Sequence, residues 1–199
     1  MRTILNFPII YNLFSKIIAR DTRSIYVAKY IRPKESDKIL DIGCGTADIL
    51  LHLPRVAYVG LDMNQAYIEH AKKRFANQGI FLTAQIDREM IREYSLSDFD
   101  IALATGVVHH LNDDDATALF EVARTALKSG GRLITLDGCF VKEQSRITRF
   151  ILSKDRGKYV RTKDEYLHLA SKLFKDVQVS IHHDFIRIPY THIIMECTA

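Results

Sequence analysis

The stretch that decides the fold is KILDIGCGTA, residues 38–47, in which an apolar run ends at an aspartate and two closely spaced glycines. The pattern predicts a buried strand over 38–43 and a helix over 46–53, with the glycines in the turn between them. Gly43 and Gly45 have no Cβ, so the backbone there can turn tightly and approach a ligand closely. A tight turn with a purely structural role would also explain the glycine pair.

Two acidic residues near this turn favour a ligand site. Asp41 lies in the strand directly before the glycines, and Asp62 ends the next predicted strand, residues 57–62. An acid at the end of the second strand, about 20 residues after the glycines, can accept hydrogen bonds from both hydroxyls of a ribose. A carboxylate at Asp41 suits a ligand with an ammonium group, because a pyrophosphate would crowd and repel it. The two acids therefore indicate a nucleoside that carries positive charge and no phosphate.

The rest of the chain alternates between apolar runs and helical segments. Further strands are predicted over 80–85, 99–105, 132–138, 176–185 and 191–199, and helices over 64–76, 113–128 and 162–172, with Asn112 and Thr162 as N-caps and Gly79 as a C-cap. Such alternation implies a parallel sheet with helices on both faces. The turn around Pro189 is too short for a crossover helix, so the last strand is expected to run antiparallel to the others.

These motifs together resemble those of the class I S-adenosylmethionine-dependent methyltransferases, from about Asp37 to the C-terminus. The matching stretches are ILDIGCGTADIL (39–50), VGLDMN (59–64), AQID (84–87), FDIALATGVVHHL (99–111) and LKSGGRLITLDG (127–138). The resemblance implies a Rossmann-like three-layer α/β sandwich, whose seven-stranded, mostly parallel sheet has the order 3-2-1-4-5-7-6. It also implies that residues 1–34 form a helical lid within the same domain as the cofactor-binding residues 35–199. Ala47 stands where the family usually has a third glycine, and a slightly tighter loop is expected there.

The resemblance implies S-adenosylmethionine as the cofactor and S-adenosylhomocysteine as its product. Asp41 would orient the amino-acid portion of the cofactor, and Asp62 would bind the ribose hydroxyls. The other implied contacts are Gly43 and Gly45 beside the amino-acid portion, Met63, Ile86 and Asp87 around the adenine, and Thr105 and Gly106 near the methionine portion. A surface acid without a ligand is the alternative interpretation of Asp87. No metal ion is expected.

Methyl transfer is an in-line displacement at an activated sulfonium carbon, so the protein's main task is to hold the acceptor and the methyl group in line. A general base is needed only when the acceptor has to lose a proton. His109 and His110 follow the fourth strand, at the ligand-binding edge of such a sheet. His109 is the predicted base and His110 the alternative. The VVHHL pattern recurs in the family among members with different substrates, so a non-catalytic role for both stays open.

Charge is unevenly distributed along the chain, whose 28 Lys and Arg against 24 Asp and Glu give a net +4. Residues 1–34 hold seven basic residues and one acid, and residues 142–163 hold eight and two, whereas residues 35–141 hold ten and sixteen. Both basic segments are expected at the substrate entrance, the first within the lid and the second after the fifth strand. The predicted rim consists of Tyr11, Arg146, Arg149, Arg187 and Tyr190, with His192 beside them. A basic rim favours an anionic acceptor.

Three kinds of partner fit such a rim. A phosphorylated or carboxylated small molecule would need only a few of the cations. A lipid-type acceptor or an anionic membrane surface would also use the apolar residues among the charges, namely Ile147, Phe150, Ile151 and Leu152 in the second segment and Leu5, Phe7, Ile9, Ile10, Leu13 and Phe14 in the first. Packing of these residues onto the protein body is the alternative explanation. Nucleic acid ranks third, because the sequence has no recognised RNA-binding module.

The sequence therefore predicts a methyltransferase that acts on a small-molecule or lipid-type acceptor with anionic character, with O-methylation favoured. An RNA methyltransferase and a non-catalytic regulator or partner subunit that binds the cofactor are the alternatives. No run approaches the roughly 20 apolar residues of a bilayer span, and no signal peptide is recognised. Cys44, Cys139 and Cys197 are scattered, which suits neither a disulfide framework nor a zinc site. A cytoplasmic protein is expected, with peripheral contact to the inner membrane surface as an option.

Overall fold

A computed structural model of the chain describes residues 22–85 and 87–199. The predicted rim residue Tyr11, the predicted adenine contact Ile86 and most of the predicted lid lie outside these residues. The described residues form the strands β1 (Lys38–Ile42), β2 (Ala57–Asp62), β3 (Ile80–Thr83), β4 (Phe99–Thr105), β5 (Leu127–Phe140), β6 (Arg161–Thr162), β7 (Asp176–His182) and β8 (His192–Thr198).

All eight strands belong to one sheet, in the order β3-β2-β1-β4-β5-β8-β7, with the two-residue β6 pairing with β5 off this path. Strand β8 runs antiparallel to both of its neighbours, β5 and β7. The pairs along the path from β3 to β5 are parallel. When β6 is left out of the count, the predicted order 3-2-1-4-5-7-6 and its antiparallel last strand are confirmed.

Helices cover this sheet. They are α1 (Thr22–Tyr26), which continues as a π-helical turn (Val27–Ile31), α2 (Gln65–Phe75), α3 (Arg88–Glu93), α4 (Asp113–Ala126), α5 (Arg146–Ser153) and α6 (Lys163–Ser171), with 3-10 turns at Asp48–His52 and Val108–His110. Asn112 caps α4 and Thr162 caps α6, each by accepting from a backbone N–H of the first turn, as predicted. The helices α3 and α5 were not predicted.

Three boundaries differ from the predictions for local reasons. The helix predicted over 113–128 ends at Ala126, because Leu127 already pairs with Phe99 as the first residue of β5. The helix predicted over 46–53 shrinks to the 3-10 turn. Gly79 is not a helix cap: α2 is followed by Ala76 in a right-handed conformation, and a Cβ at Gly79 would lie 3.0 Å from the carbonyl oxygen of Tyr58. Close packing against β2 explains this glycine.

The core consists of two apolar clusters, one on each face of the sheet. Alternate residues of a strand point to opposite faces, so Leu40 packs in the first cluster and Ile39 in the second. Phe120 of α4 fills the first cluster, whereas Ile68 of α2 and Tyr26 of α1 fill the second. This is the predicted three-layer arrangement. Within the described ranges, no helix combines the length and the apolar composition needed to cross a bilayer.

Candidate functional site

The loop after β1 is held in an unusual backbone conformation that leaves space beside it. Gly43, Gly45 and Ala47 have φ values of 76°, 54° and 56°, in the left-handed region. A Cβ at Gly43 would lie 2.5 Å from Cγ2 of Val107, so this position has room only for glycine. A Cβ at Gly45 would meet nothing within 4 Å. The backbone at Gly45 is therefore open to a ligand.

Ala47 does not close this loop. Its left-handed conformation is one that L-residues other than glycine adopt at a cost of about 1–2 kcal/mol. Its methyl group is fully buried in the second apolar cluster, and Ala47 does not line the cavity beside the loop. The departure from the usual third glycine is thus absorbed by the core, and the space for a ligand is kept.

Asp62 connects the glycine loop to the end of β2. Its Oδ2 accepts from the backbone N–H of Gly45 at 2.9 Å, and its Oδ1 accepts from the backbone N–H of Asn64 at 2.8 Å. The side chain is half-buried. A carboxylate has lone pairs for about four hydrogen bonds, so Asp62 can hold the loop and still accept from a ligand.

Asp41 brings a buried carboxylate to the same place. It is 4% exposed, and its Oδ2 accepts a hydrogen bond of 2.6 Å from the hydroxyl of Tyr58. Burial raises the pKa of Asp41 to about 7, with a further rise from the negative charge of Asp62, although the Tyr58 hydrogen bond acts in the opposite direction. A positively charged ligand would stabilise the ionised form of this carboxylate.

A cavity of about 360 Å³ at the carboxyl edge of the sheet is lined by Asp41 and the glycine loop, which Asp62 holds through the Gly45 N–H. Thr105 also lines it, while Thr22, Arg23 and Tyr26 of α1, Phe185 and Ile186 between β7 and β8, and His192 at the start of β8 cover it. The Thr22 hydroxyl donates to the carbonyl oxygen of Phe185, and the Tyr26 hydroxyl lies 3.4 Å from Oγ1 of Thr105. Part of the predicted lid, residues 22–31, thus lies across the cavity.

The predicted adenine-side residues lie beyond Asp62. The side chain of Met63 is 68% exposed, which leaves it free to pack on a ligand. Asp87 is also exposed, and its Oδ1 accepts from the backbone N–H of Met90 at 2.7 Å as the N-cap of α3. The cap uses Oδ1 only, so Oδ2 of this carboxylate takes no part in it. A contact of Met63 or Asp87 with adenine stays a prediction.

His109 lies between two carboxylates. Its Nδ1 is 2.7 Å from Oδ1 of Asp137, which also accepts from the His109 backbone N–H, and its Nε2 is 3.6 Å from Oδ1 of Asp155. Burial lowers the pKa of His109, but the hydrogen bond and the charge of Asp137, together with the charge of Asp155, outweigh it and raise the pKa. The His110 ring lies 4.2 Å from this ring between centroids, tilted by 37°. Burial, and to a smaller extent the neighbouring His109, lower the pKa of His110.

The segment 155–159 covers His109. Asp155 accepts from the Tyr190 hydroxyl at 2.8 Å and from the backbone N–H of Gly157 at 2.7 Å. Gly157 is pressed against the imidazole, so a Cβ there would collide with the ring. Tyr190 is only 9% exposed, and its place is therefore inside the protein and not on the predicted rim. Burial lowers the pKa of His192 to about 4, so this histidine adds no positive charge at neutral pH.

Arg161 belongs to the second basic segment but does not face solvent. It is 6% exposed, and its guanidinium donates to the carbonyl oxygens of Val108, Leu111 and Tyr159 and to Asp113. It therefore ties the turn that carries His109 to the segment that covers it. Arg161, one of the eight basic residues of segment 142–163, therefore does not contribute to the basic surface expected at the substrate entrance. Arg146, Arg149 and Arg187 are exposed, and their contact with an acceptor stays a prediction.

A larger cavity, of about 770 Å³, lies near the opposite edge of the sheet, among the starts of β1, β2 and β3. Of the described residues, those that line it include Lys38, Arg55 and Tyr58 but no carboxylate and no histidine. The candidate site is therefore the smaller cavity, which Asp41 and the glycine loop line.

Comparison with known proteins shows that the chain is similar to methyltransferases. A family model for a methyltransferase domain matches residues 39–131. A ubiquinone/menaquinone biosynthesis C-methyltransferase from Desulfotalea psychrophila is 35% identical over 135 residues, which are 64% of this chain and 53% of that protein. The chain spans about half the length of several curated relatives that it matches.

Solved structures share the fold. A TehB-like SAM-dependent methyltransferase from Corynebacterium glutamicum has a TM-score of 0.64 and 18% identity, covering 89% of this chain and 88% of that one. The [4+2]-cyclase SpnF has a TM-score of 0.70 and 12% identity, covering 89% of this chain and 79% of that one. At such identities these likenesses concern the fold alone.

Proposed function

We propose that the chain is a class I S-adenosylmethionine-dependent methyltransferase, which is what its similarity to methyltransferases supports, and that it methylates a hydroxyl or similar group of a small-molecule or lipid-type acceptor with anionic character. The observation that carries this proposal is that Asp41 and the open backbone at Gly45 line one cavity, while Asp62 accepts from the Gly45 N–H. That set of groups suits a nucleoside with an ammonium group better than it suits a phosphate.

The residues present fit the cofactor. Asp41 would pair with the positively charged amino-acid portion, and Gly43 and Gly45 would leave room for it. Asp62 has acceptor capacity left for the ribose hydroxyls, as described above. The remaining positions proposed for contact with the cofactor are Met63, Ile86 and Asp87 around the adenine and Thr105 and Gly106 beside the methionine portion.

Bound S-adenosylmethionine supplies a methyl group that is already activated for displacement by an acceptor atom. The chain's own residues then have to orient the acceptor and exclude water. Tyr26 and Phe185 are buried residues of the cavity's cover, which suits them to excluding water. Arg146, Arg149 and Arg187, which are exposed, are proposed to attract the acceptor's negative charge.

His109 is the proposed proton acceptor for a hydroxyl substrate. The bond from Nδ1 to Asp137 fixes the ring, which leaves Nε2 as the atom that can take a proton. Nε2 now faces Asp155 at 3.6 Å, a distance at which an acceptor hydroxyl could compete for it. A raised pKa makes neutral His109 a stronger base than a free histidine, at the cost of a smaller neutral fraction below neutral pH.

The variant His109→Gln tests this role. We expect it to lower kcat by about 100-fold, the lower end of what a positioned base contributes, and to leave cofactor affinity nearly unchanged. The wild-type rate should rise with pH through a pKa above 6.5, and the variant should lose this dependence. Full activity of His109→Gln, or a larger loss in His110→Gln, would reverse the assignment.

The stability that His109 contributes should change with pH in the opposite direction to the rate, falling as pH rises. Because its pKa is raised on folding, its interaction with Asp137 stabilises the protein fully below pH 6.5 and is lost as pH rises through the folded-state pKa. The difference in unfolding free energy between wild type and His109→Gln should therefore shrink from pH 6 to pH 8. Urea unfolding at both pH values measures it.

Asp62→Ala tests the cofactor site itself. The substitution removes the acceptor for the Gly45 N–H and the proposed partner of the ribose, so we expect affinity for S-adenosylhomocysteine to fall at least about tenfold, or 1.4 kcal/mol. Isothermal calorimetry measures it, with Glu69→Ala on the exposed side of α2 as the control. Unchanged affinity would refute the role of Asp62. Absence of wild-type binding at high-micromolar ligand would refute the proposed function.

The second candidate function is a role without methyl transfer. The likeness to a cyclase of the same fold supports testing it, because one fold can host different functions. Such a protein would bind S-adenosylhomocysteine in calorimetry. It would not convert S-adenosylmethionine in the presence of any acceptor, and the His109→Gln variant would bind as well as wild type.

A further inference from the structure

We propose that the outer face of α5 docks onto an anionic lipid bilayer. This outer face consists of Arg146, Ile147, Arg149, Phe150 and the following Lys154. The proposal goes beyond methyl transfer, because docking requires neither the cofactor nor the acceptor.

The helix is firmly anchored on its inner side. Ser145 caps α5, with its hydroxyl accepting from the backbone N–H of Thr148 at 3.1 Å. Thr148 and Leu152 are 8% and 1% exposed, and Leu152 packs against Gly138 of β5. The outward-pointing residues are therefore presented by a rigid, two-turn helix and not by a loop.

Two large apolar side chains point outward from this helix. Ile147 and Phe150 are 64% and 63% exposed. They are three residues apart in a helix, so their side chains are neighbours on one face. A single exposed apolar residue is ordinary on a protein surface, but an adjacent pair flanked by arginines is typical of a helix that lies in a membrane interface.

The cations around this pair have no counter-charges. Of the described residues, none forms an ion pair with Arg146, Arg149, Lys154, Arg156 or Lys158. Asp155, an acid within the same stretch, is turned inward to the Tyr190 hydroxyl and the Gly157 N–H.

Several arginines elsewhere are held in ion pairs, although among the described residues Arg55, Arg92, Arg124 and Arg187 form none either. Arg32 and Arg132 share Glu196, and Arg74 pairs with Asp48. The positive potential at α5 is therefore left for a partner, and acidic lipids attract basic residues near the membrane surface.

The mixture of charges and apolar side chains selects the kind of partner. A small anion would need cations alone and would leave Ile147 and Phe150 in water. A nucleic acid would cover the cations, but the aliphatic Ile147 offers it neither stacking nor a hydrogen bond. A bilayer suits both the cations and the apolar side chains of α5. Its phosphates and serine headgroups would contact the cations, while Ile147 and Phe150 enter the boundary with the acyl chains.

The position of α5 connects this surface to the cavity. The helix follows the carboxyl end of β5, the edge at which the candidate site lies. Docking would bring that edge close to the membrane. If the proposed function holds, a lipid-borne acceptor could then reach the site without leaving the bilayer.

Vesicle co-sedimentation of the full chain, without cofactor, tests the proposal. We expect binding to vesicles with about 30% phosphatidylserine in phosphatidylcholine, a fall of at least about tenfold when salt is raised, and little binding to phosphatidylcholine alone. The double variant Ile147→Ser/Phe150→Ser should bind at least about fivefold more weakly. The control Leu51→Ser/Ile80→Ser removes two apolar side chains that are 56% and 60% exposed elsewhere, and should bind like wild type.

A second readout reports on α5 directly. The chain contains no tryptophan, so Phe150→Trp introduces the sole tryptophan, whose selectively excited emission should shift to shorter wavelength when anionic vesicles are added. Failure of all vesicle binding, equal loss in both double variants, or binding without a shift at position 150 would overturn the proposal. Calorimetry with S-adenosylhomocysteine on the same protein keeps this outcome separate from the proposed function.

Discussion

Replacing Asp41 by asparagine is expected to make the free protein more stable and its cofactor binding weaker. Asp41 is buried, and its pKa rises from 3.8 to about 7 on folding. By proton linkage, holding this group in the folded state at pH 7 costs on the order of 4 kcal/mol. Asparagine has nearly the same shape and can still accept from Tyr58. Its amide hydrogens would be unpaired, which offsets part of the gain. The free energy of unfolding of the variant should therefore be higher by about 2 kcal/mol or more.

The pH dependence fixes the sign of this effect. A carboxyl group with a raised pKa stabilises the fold fully below its unfolded value of 3.8, and this stability is lost as pH rises towards 7. The linkage cost falls from about 4 kcal/mol at pH 7 to about 1.7 kcal/mol at pH 5, so the advantage of Asp41→Asn should be clear at pH 7 and nearly disappear at pH 5. Urea unfolding at the two pH values measures it.

Ligand affinity should change in the opposite direction. Asparagine carries no charge to pair with the ammonium group of the cofactor, so we expect S-adenosylhomocysteine to bind at least about tenfold more weakly to Asp41→Asn. Tyr58→Phe is the matched control, because it removes the hydrogen bond and keeps the carboxylate. A less stable variant with unchanged affinity would contradict the assignment of Asp41.

Arg161→Met is expected to lose about 3–5 kcal/mol of unfolding free energy. The buried guanidinium serves three backbone carbonyl oxygens and Asp113, and a buried carbonyl without a donor costs about 1–3 kcal/mol. Arg161→Lys should recover only part of the loss, because one ammonium group cannot reach all four acceptors. The turn of His109 would move as well, so activity should fall with stability.

Arg156→Met is the control for this prediction. Arg156 lies in the same basic segment but is exposed, so its substitution should change the unfolding free energy by less than about 0.5 kcal/mol. Denaturant unfolding of the three variants at pH 7 compares them. Equal losses in Arg156→Met and Arg161→Met would mean that burial of Arg161 has no energetic role.

The sheet could be predicted from the sequence because its signals are local. The run Phe99–Thr105 is apolar and bounded by polar residues, and β4 has those same limits. The short connection around Pro189 was enough to orient β8. In contrast, α5 was not predicted as a helix, because it is only eight residues long and its basic residues are interleaved with its apolar positions.

Some residues of the candidate site could likewise be predicted from the sequence, and others could not. Asp41 lies directly before the glycine loop and Asp62 ends the next strand, so their spacing from the loop was enough to predict both. Asp137 carried a similar signal, an acid in the apolar run LITLDG directly before a glycine, and it was missed. The environment of His109 could not be predicted, because Asp155 and Arg161 reach it from another part of the chain only after folding.

The contacts that cover the cavity bear on the rate at which a bound molecule is released. Thr22 and Phe185 are joined by a hydrogen bond although they are 163 residues apart in sequence. These two residues lie on the cover of the cavity, as does Tyr26, whose hydroxyl approaches Thr105. Lid motions typically take microseconds to milliseconds or longer, and in many enzymes they limit the overall rate. If the proposed function holds, we expect release of the demethylated cofactor to be faster when the Thr22 hydroxyl is removed.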